Sequence, residues 1–138
     1  MNFKGHYKTG AIQEVIYGKE LIEALNQAIS DTSDPMVMFV TNTSLTKIDG
    51  LAGVVKKALG KVCVGEVKGL KAHSPRQDVI TLAKELKEKR ANIVVTLGGG
   101  SVCDTTKVAC LALENGVSSK DGIGQLASDE LNSPKIKH

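Results

Sequence analysis

The sequence predicts an α/β fold: a parallel β-sheet flanked by helices, with an antiparallel hairpin at its N-terminal edge. Three observations carry this. Two apolar runs, 36–41 and 93–97, lack the alternation of a half-exposed strand and fit strands covered on both faces. Around them apolar residues recur at helical spacing. Glycine, proline or a short polar run marks the changes from one period to the other.

In chain order, residues 3–17 mix Gly5 and Gly10 with β-prone Ile12, Val15, Ile16 and Tyr17, which predicts an edge hairpin or extended arm. A helix fits 19–29, with Leu21, Ile22, Leu25, Ala28 and Ile29 on one face. The polar loop 30–35 ends at Pro35, which cannot continue a helix. Strand 36–41 follows and is closed by Asn42-Thr43-Ser44. The next helix runs to about Leu59, with Leu51, Val54, Val55, Ala58 and Leu59 inward and Gly60 as C-cap.

Val62-Cys63-Val64 with Val67 predicts a short third strand, and 68–76 a loop containing His73-Ser74-Pro75. A charged amphipathic helix fits 77–90, with Val79, Leu82, Ala83 and Leu86 inward and Lys84/Glu88 and Glu85/Lys89 at i,i+4. That charged run reads as a solvated face. Strand 93–97, three glycines and an apolar helix come next. Beyond Gly116 only a weak amphipathic piece near 123–127 stands out. Strands alternating with helices over short connections specify a Rossmann-like parallel sheet with right-handed crossovers, in one domain spanning 1–138.

Composition narrows the function. With 41% hydrophobic and 24% charged residues the chain has the means to build a core, so disorder is not expected. Aromatics at 3% with no Trp, and a dispersed net charge of +3, argue against nucleic-acid and membrane partners. No apolar run reaches membrane-span length and the N-terminus has no hydrophobic signal core, so a cytoplasmic location is expected. Cys63, Cys103 and Cys110 are odd in number without Cys-x-x-Cys spacing, which predicts free thiols. Cys103 and Cys110, seven apart, read as buried small apolar residues. His6, His73 and His138 show no metal-ligand spacing, so no metal site is predicted.

The chemistry concentrates at Gly98-Gly99-Gly100-Ser101. A glycine turn between a buried strand and a helix leaves the first N–H groups of that helix without internal partners, at the positive end of its dipole. Glycines let an oxyanion approach the backbone, and Ser101 adds a hydroxyl. Phosphate binding is the expectation, against a tight turn that binds nothing. The loop is neither Walker A, since no Gly-Lys-Ser/Thr follows, nor Gly-x-Gly-x-x-Gly, since Cys103 replaces the third glycine. Ser101-x-x-Asp104 has the form of a capping box.

These residues together resemble the iron-containing (group III) alcohol dehydrogenase family, which shares the dehydroquinate-synthase-like fold with glycerol dehydrogenase and maleylacetate reductase. The motif is Gly98-Gly99-Gly100-Ser101-x-x-Asp104-x-x-Lys107. Tyr17-Gly18, Val40-Thr41-Asn42 and Ser74-Pro75 support it in family order. The resemblance covers nearly the whole chain but only the family's N-terminal half.

It implies an NAD- or NADP-binding domain of an oxidoreductase moving hydride between an alcohol and its aldehyde or ketone. In the family an all-helical C-terminal half holds Fe2+ or Zn2+, which polarises the substrate oxygen. No catalytic or metal residue is expected here, and the chain alone is expected to be inactive. The cofactor contacts implied are Gly98, Gly99, Gly100 and Ser101 to the pyrophosphate, Val102 through its backbone, and Ser74 near the adenosine. Asp104 is either a cofactor contact or the capping partner of Ser101, and Lys107 either faces the site or pairs with Asp104.

Many members place an aspartate, which repels a 2′-phosphate, where this chain has Asn42; tolerance of NADP follows. Thr43, Ser44 and Lys47 stand near it in sequence. His73 is similar to the maleylacetate-reductase branch, so the substrate stays open. Pairing with a second subunit is expected through the N-terminal hairpin. A free-standing nucleotide- or phosphate-binding module is the alternative from another class, and a dehydroquinate-synthase-type lyase a third.

Overall fold

The computed structural model describes residues 15–42, 50–71, 75–127 and 131–138. The predicted hairpin lies mostly outside them, as do Thr43, Ser44, Lys47, His73 and Ser74. The chain divides into two compact units, Met1–Asp31 and Thr32–His138.

The first unit contributes helix α1 (Leu21–Ile29), two residues shorter at its start than expected. Its apolar stripe is present, but Leu21 and Ile22 are exposed. Lys19 pairs with Glu23 at 3.3 Å.

The second unit runs β1 (Val37–Asn42), α2 (Leu51–Leu59), β2 (Cys63–Leu70), α3 (Arg76–Glu88), β3 (Ile93–Leu97) and α4 (Gly100–Glu114). All strand pairs are parallel, in the order β2-β1-β3. Central β1 is buried from Val37 to Thr41, which explains its unalternating sequence. α3 and α4 pack together over one face of the sheet, and α2 packs against β1 outside the core they form. On the α3 and α4 face Met38, Val40 and Val94 meet Val79, Leu82 and Leu86 of α3 and Val102 and Ala109 of α4 in one core. Among the described residues no helix is long and apolar enough to cross a membrane.

Four expectations change. β2 continues through Lys68, Gly69 and Leu70, assigned above to loop. Gly65 and Gly69 hide its strand pattern, and register irregularities opposite β1 break the alternation further. On α2 only Val55 and Leu59 are buried; Val54 is 44% exposed, because one stripe of a nine-residue helix can face a sheet. α3 stops at Glu88, since Arg90 takes the left-handed conformation (φ 51°) and the Ala91 N–H closes the end on the Leu86 carbonyl at 3.1 Å. The piece near 123–127 is a 3₁₀ segment, Asp121–Ala127.

Asn92 joins the entry ends of β1 and β3. Its Oδ1 accepts the Met36 N–H at 2.7 Å and its Nδ2 donates to the Asp34 carbonyl at 3.0 Å.

Candidate functional site

The carboxyl ends of β1 and β3 lie side by side. Thr41 is paired with Leu97, so the next residues along, Asn42 and Gly98, are neighbours. A Cβ placed on Gly98 would sit 3.5 Å from Asn42 Nδ2. From β1 the chain crosses to β2 on one side, and from β2 it returns past β1 to β3 on the other. Strand order therefore reverses between β1 and β3, and open α/β sheets hold ligands in the crevice above such a reversal.

The three glycines differ in what they do. A Cβ on Gly98 would lie 2.7 Å from Val102 Cγ2, so the packing of Val102 requires glycine there. At Gly99 and Gly100 a Cβ would meet nothing within 4 Å, and neither has a positive φ. Among the described residues, neither packing nor backbone conformation demands glycine at those two positions. Open glycines at a helix start leave room for an oxyanion to reach main-chain amides.

The helix starts earlier than the capping-box pattern implied. Gly99 is the N-cap, extended at φ −84° and ψ −170°, and its carbonyl accepts the N–H groups of Val102 and Cys103 at 3.1 and 3.3 Å. Ser101 is already helical and is not the N-cap, and the N-cap Gly99 has no side chain to cap this end. Asp104 is exposed and lies beyond the first turn. It forms no ion pair with Lys107; the described ion pairs involve other residues. The first turn of α4 carries no acid to offset the positive end of its dipole.

The first turn is anchored from below. Val102 is buried, and Thr106 Oγ1 donates to its carbonyl at 2.8 Å. Gly98, Gly99, Gly100 and Ser101 are exposed, so they line a surface rather than a closed chamber. The structure thus brings together Asn42, the glycine turn, Ser101 and Val102; Ser74 lies outside the described residues.

Sequence reading missed the far side of β3. Lys137 bridges Ile93 in parallel: Val94 N–H donates to the Lys137 carbonyl at 2.8 Å, and Lys137 N–H to that of Asn92 at 3.1 Å. This brings His138 Nε2 within 3.1 Å of Thr96 Oγ1, which lies 3.7 Å from Cys103 Sγ. Burial, then the charge of Lys107, pushes the His138 imidazole below its ordinary range. A Lys-Ile-Lys run is too short to announce a strand.

All three thiols are free; Cys110 is buried, Cys103 only partly. Among the described residues no three His, Cys, Asp or Glu side chains are grouped to hold a metal ion. A groove of about 610 Å³ between α3 and α4, lined by Ile80, Ala83, Leu113 and Val117, opens near the C-terminal ends of both helices. Lys84, Lys87 and Glu88 also line it.

Comparison with known proteins agrees with the geometry. The family model for iron-containing alcohol dehydrogenase matches residues 13–136. The chain is similar to the dehydrogenase FUM7 of Gibberella moniliformis, 36% identical over 101 residues, 72% of this chain and 24% of that one. It is also similar to NADP-dependent alcohol dehydrogenase 3 of Entamoeba histolytica, 27% identical over 73% of this chain and 26% of that one. It thus spans about a quarter of these relatives' length. Among solved structures, the substrate- and cofactor-free aldehyde reductase YqhD from E. coli shares the fold, with a TM-score of 0.65 at 20% identity over 81% of this chain and 30% of that one.

Proposed function

This chain belongs to the iron-containing alcohol dehydrogenase family, and from that premise we propose that it is a nucleotide-binding unit whose glycine turn holds the pyrophosphate of NAD or NADP. One observation carries the reading. Gly99 and Gly100 stand open at a helix N-terminus with no acid in its first turn, where the strand order reverses, and among the described residues neither packing nor backbone conformation requires a glycine at either place. Asn42, across from Gly98, meets the adenosine ribose in this reading. An amide there keeps a hydrogen bond without repelling a 2′-phosphate, so both cofactors are accepted.

A bound nicotinamide supplies the hydride acceptor or donor for an alcohol and its aldehyde or ketone. The chain's own part is to bind and orient: the turn fixes the diphosphate, and the Val102 anchor holds the turn. In this reading the family's metal, Fe2+ or Zn2+, is held by the family's other half and would polarise the substrate oxygen there.

Titration of the chain with NADH and with NADPH, followed by cofactor fluorescence, tests the reading. Saturable binding of both is expected, weakened by Gly99→Val through steric exclusion. No binding of either removes the proposal. A preference for NADH above about a hundredfold, roughly 2.7 kcal/mol, removes the role given to Asn42.

A further inference from the structure

We propose that Lys71 and Arg76 are the residues that recognise the 2′-phosphate of the dinucleotide, an inference that rests on the nucleotide reading above. The β1–β2 register pairs Asn42 with Leu70, so Lys71 is the next residue along the same edge of the sheet. Its main-chain N–H donates to Asp78 Oδ2 at 3.0 Å, tying the end of β2 to the first turn of α3, where Arg76 is the first residue. Both cations therefore stand beyond Asn42, on the side away from the glycine turn.

That is the side on which the adenosine falls. With the pyrophosphate on the turn after one strand, the ribose meets the end of the adjacent strand, and a 2′-substituent points to the space beside it. Here the adjacent strand is β1, ending in Asn42, and the neighbour beyond is β2.

Charge supports the placement. Residues 51–76 contain six Lys or Arg (Lys56, Lys57, Lys61, Lys68, Lys71, Arg76) and one acid, Glu66, a surplus of +5 in a chain whose net charge is +3. Lys56 and Lys68 are engaged by Glu66 at 2.6 and 3.4 Å. Lys71 and Arg76 are exposed, and neither forms one of the ion pairs found among the described residues. The Asp78 carboxylate, the acid of that first turn, is turned to the Lys71 amide. A phosphomonoester carries close to two negative charges at neutral pH, which an Arg fork and a Lys point charge match.

The test titrates NADPH and NADH into the wild-type chain, the double variant Lys71→Gln/Arg76→Gln, and Lys61→Gln. Lys61 carries the same charge at the opposite, amino end of β2. The double variant is expected to weaken NADPH by about tenfold or more, the loss of charge-assisted hydrogen bonds, with NADH within about twofold. Lys61→Gln is expected to change neither, and the NADPH effect to shrink in high salt. Equal weakening of both cofactors, or unchanged NADPH affinity, overturns the assignment. Wild-type binding of NADH without NADPH overturns it alone; binding of neither overturns the nucleotide reading and this inference together.

Discussion

Gly100→Ala separates what the fold needs from what the site needs. Gly100 is the first residue of α4, with open space where a Cβ would go and no positive φ. For the apo protein the methyl group is free of strain, and it removes the extra freedom that glycine has in the unfolded chain. In a helix interior that change stabilises by about 0.5–1 kcal/mol; at the first position we expect about 0.5 kcal/mol, or roughly 2 °C in Tm. For the complex the same methyl stands where an oxyanion must approach the first amides of the helix. Loss of one charge-assisted hydrogen bond, about 1.5–3 kcal/mol, weakens NADPH or NADH binding by roughly 10- to 150-fold. Urea unfolding and cofactor fluorescence measure the two effects on the same sample. A more stable protein with unchanged cofactor affinity would refute the reasoning, because the glycine would then serve nothing outside the chain. Gly98→Ala supplies the opposite sign: its Cβ would meet Val102 Cγ2 at 2.7 Å, so the fold itself loses about 1–3 kcal/mol.

Other consequences are local. The Thr105 hydroxyl is buried without a hydrogen-bond partner, so Thr105→Val is expected to raise the unfolding free energy by about 1–2 kcal/mol; a loss in urea melts would show that the hydroxyl is satisfied. His138 has a folded pKa below its unfolded value of 6.5, so its contribution is complete above about pH 6.5 and is lost as pH falls through the lower folded value. Urea midpoints between pH 7.5 and 5 should therefore fall less steeply in His138→Gln than in wild type, and identical slopes would dismiss the burial of the imidazole. Burial pushes the Cys110 thiol up to about 11, so a thiol reagent at pH 7.5 should label Cys63 and Cys103 in the native chain and Cys110 only after denaturant. Labelling of all three thiols at one rate would contradict that packing.

How much the sequence disclosed depended on whether a signal was local. β3 and the inward face of α3 were legible because burial leaves an unmixed apolar run in a covered strand and a 3.6-residue stripe in a helix resting on a sheet. β2 was half hidden, because Gly65 and Gly69 read as loop, and only pairing with β1 on either side of Gly69, itself at φ 79°, carries the strand to Leu70. Arg90 carried no stop signal: left-handed backbone is expected of glycine, and here the cap formed by Ala91 and Leu86 imposes it on an arginine. The capping box failed for a related reason, since a glycine N-cap let α4 begin before Ser101.

The site itself is a long-range object. Asn42 and Gly98 are far apart in sequence, and what sets them side by side is the parallel register of β1 and β3, fixed at the far end by Asn92 bridging Asp34 and Met36. A slip of that register by one residue would turn Met38 and Val40 out of the core that α3 and α4 close over them, so the sheet cannot shift to suit a ligand. Binding energy is therefore not needed to assemble this edge. The identical letters Gly98, Gly99 and Gly100 then divide by surroundings: the first serves the Val102 packing that holds the turn in place, and the other two face open space among the described residues, where the proposed ligand would rest. Because the core and not a ligand sets this register, truncations far from the turn that loosen the β1–β3 ladder, such as Asn92→Ala, should weaken cofactor binding only to the extent that they unfold the chain, as parallel urea melts and cofactor titrations would measure.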